Sequence, residues 1–201
     1  MIEAVVWDIG RVLVQWDFPA IWRGVIADRA ELDRFVTQVV NEAWHARHDA
    51  GVPMADLIAE AVAAHPDQAA LIARYRTHWL LSVPGPIAGT HELVARLSAR
   101  AVPQYAITNF GHETFALFRP TFPVLDHMRD IVVSGTERLI KPDPAIFRLA
   151  AARFGHDPAR MLFVDDNADN IAAARALGWQ VHHFVDGAEA LEMDLRGRGL
   201  I

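Results

Sequence analysis

Ala4-Val5-Val6-Trp7-Asp8-Ile9-Gly10-Arg11-Val12-Leu13-Val14 is the stretch that decides the fold. Four apolar residues end in one carboxylate, the chain turns at a glycine, and it becomes apolar again. A run so short and so apolar reads as a strand buried on both faces at residues 4–7. Burial explains the hydrophobes but not the aspartate. The carboxyl end of a strand in an open α/β sheet is where such folds place their chemistry. Asp8 is therefore read as a nucleophile that three later segments serve.

Outward from this strand the texture changes. From about Asp17 to Leu81 the patterns are helical and no strand is convincing. Pro19 followed by Ala20-Ile21-Trp22 marks a helix start, and Glu31–Val40, Ala55–Ala64 and Ala69–Leu81 read as further helices, with Pro53 and Pro66 as punctuation. Helices that cannot reach a sheet pack on each other, so the block reads as a small bundle inserted after the first strand. Ser82-Val83-Pro84-Gly85-Pro86 ends it, because two prolines and a glycine cannot continue a helix.

The remainder alternates. Helices are expected at Ile87–Ala99, His112–Phe118, Pro144–Phe154 and Asn170–Leu177. Strands are expected at Gln104–Thr108, Ile131–Ser134, Met161–Val164 and Gln180–Phe184. Alternation of this kind implies right-handed crossovers and a parallel sheet covered on both faces, an α/β fold. The tail from Glu189 starts polar, and Arg196-Gly197-Arg198-Gly199 reads as loosely ordered.

Composition narrows the function. Hydrophobic residues make up 52% of 201, enough for a large core, and the formal net charge of −6 argues against a nucleic-acid partner held through phosphates. The absence of cysteine removes disulfides and thiolate chemistry and suits a reducing, cytoplasmic setting. Neither a secretory signal nor an apolar run long enough to span a membrane is evident, so no membrane partner is expected.

Polar residues gather just after the expected strands: Asp8, then Thr108 and Asn109, then Lys141, then Asp165 and Asp166. In a parallel sheet these ends share one edge, so the groups can converge. A carboxylate attacking phosphorus or carbon gives a covalent intermediate. A phosphate approaching a carboxylate needs a cation, and Mg²⁺ with oxygen ligands from Asp8 and Asp166 fits. Lys141 would neutralise developing charge, and the Thr108 hydroxyl with nearby N–H groups would hold the transferring oxygens.

These motifs resemble the haloacid dehalogenase superfamily of aspartate-nucleophile hydrolases across nearly the whole chain. Asp8 to Val14 resembles its first motif, Ile107-Thr108-Asn109 the second, Lys141-Pro142-Asp143 the third, and Phe163 to Asn170 the fourth. The resemblance implies a Rossmann-like parallel-sheet core at residues 1–14 and 83–201 and a helical cap at 15–82. It implies a Mg²⁺-dependent phosphatase acting on a small phosphorylated metabolite through an aspartyl-phosphate. The nearest branch in form is that of sugar-phosphate phosphatases, α-D-glucose-1-phosphate phosphatase among them. The Gly10 backbone carbonyl would be a metal ligand, and Asn170 rather than Asp169 would stand at the supporting position beside Asp165.

One departure matters. Most phosphatases of the superfamily carry a general acid two residues after the nucleophile, and here that position is Gly10. The sugar-phosphate branch shares the glycine, and a sugar 1-phosphate leaves with less acid assistance than an alkyl phosphate. Other readings stay open. A 2-haloacid dehalogenase would use the same aspartate without a metal, although Gly10, Val12 and the Asp165-Asp166 pair disfavour it. A catalytically silent binding protein of the same fold is the third. Arg11 is read either as a substrate contact or as a solvated residue at the mouth. His45, His48 and Asp49 are read first as a surface helix end and second as ligands. If the cap closes over the site, that segment is the candidate for specificity and for a substitute proton donor. Sequence leaves the oligomeric state open.

Overall fold

The computed structural model describes residues 1–201. Five strands form one sheet: β1 (Ala4–Trp7), β2 (Gln104–Thr108), β3 (Ile131–Val133), β4 (Met161–Asp165) and β5 (Gln180–His183). Their order is β3-β2-β1-β4-β5, and every neighbouring pair is parallel. β1 is central. The chain moves from β1 outward to β2 and β3, then returns to the other side of β1 for β4 and β5. The topological switch point therefore falls between β1 and β4, where Trp7 pairs with Val164 and Asp8 and Asp165 emerge side by side.

Six helices separate β1 from β2: α1 (Ala20–Arg23), α2 (Arg29–Gln38), α3 (Glu42–Asp49), α4 (Met54–Ala64), α5 (Ala69–His78) and α6 (Thr90–Ala99). The later helices are α7 (His112–Phe118), α8 (Ser134–Glu137), α9 (Pro144–Phe154), α10 (Ala168–Ala176) and α11 (Gly187–Gly197). None is long and apolar enough to cross a membrane.

The period of two along each strand divides the core. Ala4, Val6, Tyr105, Ile107 and Phe163 pack under Ile146 and Phe147 of α9 and Ile171 of α10. Val5, Trp7, Ala106, Leu162 and Val164 face the other way, toward Leu93 and Leu97 of α6 and Leu191 and Leu195 of α11. This second core runs without a break into α1–α5, where Ile21, Trp22, Leu57, Ile72 and Tyr75 belong to it. The inserted helices pack on one another as expected, and they also share apolar contacts with the sheet layer.

Three local expectations are corrected. The tail is helical through Gly197, because Leu191 and Leu195 recur at helical spacing and Leu200 closes the same core. The helix that follows Gln68 stops at His78 and tightens into a single 3₁₀ turn over Trp79–Ser82. α3 is a whole helix with a buried face rather than a surface helix end. Its buried residues are Trp44, His45, His48 and Asp49, so three of the four are polar and no apolar stripe announces the face.

Candidate active site

Asp8 leaves β1 with its backbone N–H donating to the Val164 carbonyl at 2.8 Å. The turn behind it closes tightly. Leu13 and Val14 donate to the Ile9 carbonyl, and Arg11 donates to the Val14 carbonyl at 2.7 Å. The Gly10 carbonyl takes no part in these bonds. Arg11 has φ +59°, in the left-handed region that costs a residue with a side chain about 1 kcal/mol. The tight turn holds it there.

The sequence-derived residues converge. One cleft of about 340 Å³ is lined by Asp8, Gly10, Arg11, Thr108, Asn109, Lys141, Asp166 and Asn170, with Trp16, Glu42, His45, Asp49, Trp79 and Phe110 among the rest. Asp165 lies directly beneath, fully buried. Lys141 Nζ sits 2.8 Å from Asp8 Oδ1 and 2.7 Å from Asp165 Oδ2, with 1% of its side chain exposed. Burial works against the Lys141 charge, but Asp165 and Asp8 outweigh it and hold the ammonium above its ordinary value. Burial pushes the Asp8 carboxyl up to about 7, with Lys141 pulling down and Asp165 adding to the rise.

The two adjacent acids do different things. Asp165 Oδ1 accepts from the Asn167 amide at 2.8 Å and from Asn170 Nδ2 at 3.1 Å. Its Oδ2 accepts from Lys141 and from Asn170 Nδ2 at 3.0 Å. Three donors, Lys141 Nζ, the Asn167 amide and Asn170 Nδ2, make four contacts to this carboxylate, which positions Lys141 and leaves its oxygens already engaged. Asp166 turns into the cleft instead, and His183 Nε2 fixes its carbonyl at 2.9 Å. Burial raises the Asp166 carboxyl and Asp165 raises it further, while Arg11 and Lys141 pull it down. Oxygens of Asp8, Asp165 and Asp166 all lie within 4.8 Å of one another. With Asp165 spoken for, Asp8, Asp166 and the free Gly10 carbonyl form an all-oxygen donor set, which fits Mg²⁺ completed by water and phosphate.

Asn109 clasps the lysine loop. Its Nδ2 donates to the Lys141 carbonyl at 2.9 Å and its Oδ1 accepts from the Lys141 amide at 2.8 Å. The side chain is thus committed to positioning Lys141. Thr108 ends β2 buried, with its side chain on the cleft. Arg11 stands at the mouth. It lines the cleft, yet its side chain is 55% exposed and reaches Glu42 of α3 at 3.8 Å across the mouth.

The expectation for α3 is overturned. Its C-terminal end seats on the loops after β2 and β3. Ser134 Oγ donates to the Asp49 carbonyl at 2.6 Å and accepts from the Phe110 amide at 2.9 Å. The His48 ring lies so close to Gly111 that a Cβ there would come within 2.1 Å of it. His45 Nε2 is 3.4 Å from Asp49 Oδ2, and His45 Nδ1 is 2.7 Å from Tyr75 Oη. These histidines are core and cleft residues, not a metal cluster. His183, which anchors Asp166, carries no sequence signal beyond its place at the end of β5.

A family model described as a haloacid dehalogenase-like hydrolase matches residues 2–178. A sesquiterpene phosphatase of Aspergillus oryzae is 24% identical over 197 residues, covering 96% of this chain and 95% of that protein. A HAD-like family hydrolase from Porphyromonas gingivalis superposes with a TM-score of 0.74 at 18% identity, covering 98% of each chain. A HAD family enzyme from Bacteroides thetaiotaomicron, solved with magnesium and inorganic phosphate, superposes with a TM-score of 0.68 at 19% identity over 90% of this chain and 93% of that one. With the match spanning both the sheet and the inserted helices, the chain belongs to the haloacid dehalogenase-like hydrolase family.

Proposed function

We propose that the protein is a Mg²⁺-dependent phosphomonoesterase acting on a small phosphorylated metabolite, a sugar phosphate among the candidates. The observation that carries this is the division of labour between the acids. Asp165 is engaged by Lys141, Asn170 and the Asn167 amide, while Asp8 and Asp166 keep oxygens on the cleft beside the Gly10 carbonyl. Such a donor set suits a hard cation and, through it, a phosphate.

In this reading Asp8 is the nucleophile. Its oxygen attacks phosphorus, the ester oxygen leaves, and water then cleaves the aspartyl-phosphate. Asp8, Asp166 and the Gly10 carbonyl would hold Mg²⁺. When bound, the cation favours the ionised Asp8 and screens it from the incoming phosphate. Lys141 steadies Asp8 and meets charge on the transferring group, and Thr108 donates to one of its oxygens. Asn109, Asp165 and Asn170 position Lys141. Residues 15–82 serve as a cap whose α3 covers the cleft. Trp16, Trp79 and Phe110 offer aromatic surface that suits a sugar ring or an apolar alcohol.

Phosphate release should be measured with and without Mg²⁺ across sugar phosphates and prenyl phosphates, beside chloride release from 2-chloropropionate. Metal-stimulated phosphate release supports the proposal. Metal-independent halide release would replace it with dehalogenation, and neither activity would leave a binding protein.

A further inference from the structure

The ester oxygen that leaves phosphorus must gain a proton, and the nucleophile turn supplies none. This inference rests on the phosphatase reading above. Among the cleft residues, Asp8 is the nucleophile, Asp166 a cation ligand, and Lys141 is locked between Asp8 and Asp165. Arg11 does not release its proton near neutrality. The remaining protonatable side chains are Glu42, His45 and Asp49, and all three come from α3. Glu42 is 78% exposed and turns to Arg11 at the rim.

Asp49 is placed differently. It is the last residue of α3, where the helix carbonyls disfavour a negative charge, so helix stability gives no reason for an acid there. Its side chain is only 12% exposed and still lines the cleft. The seat on Ser134 and Gly111 fixes its backbone over the carboxyl edge of the sheet. Two side chains stand behind it: Tyr75 Oη and His45 Nδ1 lie 2.7 Å apart, and His45 Nε2 faces Asp49 Oδ2 at 3.4 Å. Trp16 stacks on the His45 ring with centroids 5.0 Å apart, shielding it from solvent.

We propose that Asp49, oriented by His45 and Tyr75, is the acid that protonates the leaving oxygen and the base that then activates water. As the bond from Asp8 to phosphorus forms and the ester bond breaks, the Asp49 proton moves to the leaving oxygen and an alcohol departs. Water then attacks phosphorus, its proton returns to Asp49, and the Asp8–phosphorus bond breaks to give phosphate. Nothing else is consumed. The charged or titratable groups around Asp49 are His45 and His48 on its own helix, Tyr75 from α5 and Glu113 from α7, with the Gly111 amide beside it. Burial pushes the Asp49 carboxyl up to about 7, against the pull of His48 and that amide, and burial pushes His45 down to about 3. At neutral pH the neutral imidazole therefore faces a carboxyl that still carries a proton.

The test compares leaving groups. kcat/KM is measured with Mg²⁺ for p-nitrophenyl phosphate, whose phenolate leaves unaided, and for a primary alkyl phosphate, whose alkoxide does not. In Asp49→Asn, kcat/KM for the alkyl ester should fall by about 100-fold or more and that for the aryl ester far less, because kcat/KM ends at release of the leaving group, while kcat should fall on both esters because they share the water-activating step. The alkaline limb of the alkyl pH profile should vanish with it. His45→Gln, a positioning change, should cut kcat/KM for the alkyl ester by about tenfold, move that limb upward and spare kcat/KM for the aryl ester. It carries the same comparison if Asp49→Asn does not fold. Equal losses of kcat/KM on both esters, or none, would overturn the acid role while the wild-type protein remains a phosphatase. A wild-type protein inactive on both esters would overturn the phosphatase reading and this inference together.

Discussion

Lys141 Nζ bridges two carboxylates that come from different strands, Asp8 after β1 at 2.8 Å and Asp165 in β4 at 2.7 Å. The bridge lies at the switch point of the sheet and is closed to solvent. Removing the ammonium leaves two buried acids facing each other. Lys141→Met should cost about 3–5 kcal/mol in urea unfolding, the range for breaking a buried pair, and reduce phosphate release by at least about 100-fold. A variant as stable as the wild type would show that the bridge contributes little.

Asn170 touches both oxygens of Asp165. Without it Asp165 is free to turn and Lys141 loses its fixed partner. Asn170→Ala should raise the Mg²⁺ concentration needed for half-maximal activity by about 10- to 100-fold. Isothermal titration of Mg²⁺ reads the same change as a weaker affinity. Unaltered affinity would mean that Asp165 is held well enough by Lys141 and the Asn167 amide alone.

Gly111 has φ −64°, which any residue adopts, so its constraint is purely one of space. A Cβ there would come within 2.1 Å of the His48 ring. Gly111→Ala should push α3 off its seat and lower stability by about 1–3 kcal/mol. Adding His48→Ala should recover part of that loss, so the double-mutant cycle is strongly non-additive. Additive losses would show that the two residues do not press on each other.

Burial pushes the Asp49 carboxyl up to about 7 in the folded chain, above the ordinary value of 3.8. Between those values the folded chain holds a proton that the unfolded chain has lost. The contribution to stability is therefore fully present in acid and disappears as pH rises through about 7. One such group gives a slope of up to about 1.4 kcal/mol per pH unit. Asp8 shifts in the same direction, so the wild-type slope holds both contributions. Asp49→Asn should flatten the stability profile between about pH 4 and about pH 7 relative to wild type, as denaturant unfolding at several pH values reads. Parallel profiles would place the Asp49 carboxyl in its ordinary range.

The sheet was legible because its strands are short apolar runs that end in polar residues, and β2 and the helix over His112–Phe118 fall at the expected residues. The convergence of Asp8, Thr108, Lys141 and Asp166 followed from parallel order alone. What periodicity could not show is α3, since its buried face is made of Trp44, His45, His48 and Asp49 and resembles a solvated helix. The resemblance assigns the cation to Asp166 and a supporting place to Asp165, but hydrophobic periodicity alone does not separate the two. One residue of register along β4 turns the first under the sheet edge and the second into the cleft. Asn109 shows the same limit: the sequence places it just after β2 among the other polar residues, and the bonds of its side chain to the backbone of Lys141 carry no sequence signal.

The most direct measurement is Mg²⁺-dependent phosphate release by the wild-type protein and by Asp8→Asn, with circular dichroism to show that both are folded. The amide keeps the shape of the side chain and removes its nucleophilic charge. The expected result is Mg²⁺-stimulated turnover in the wild type and a loss of at least roughly a thousandfold in the variant. A folded Asp8→Asn protein that releases phosphate at the wild-type rate would contradict the assignment of Asp8 as the nucleophile.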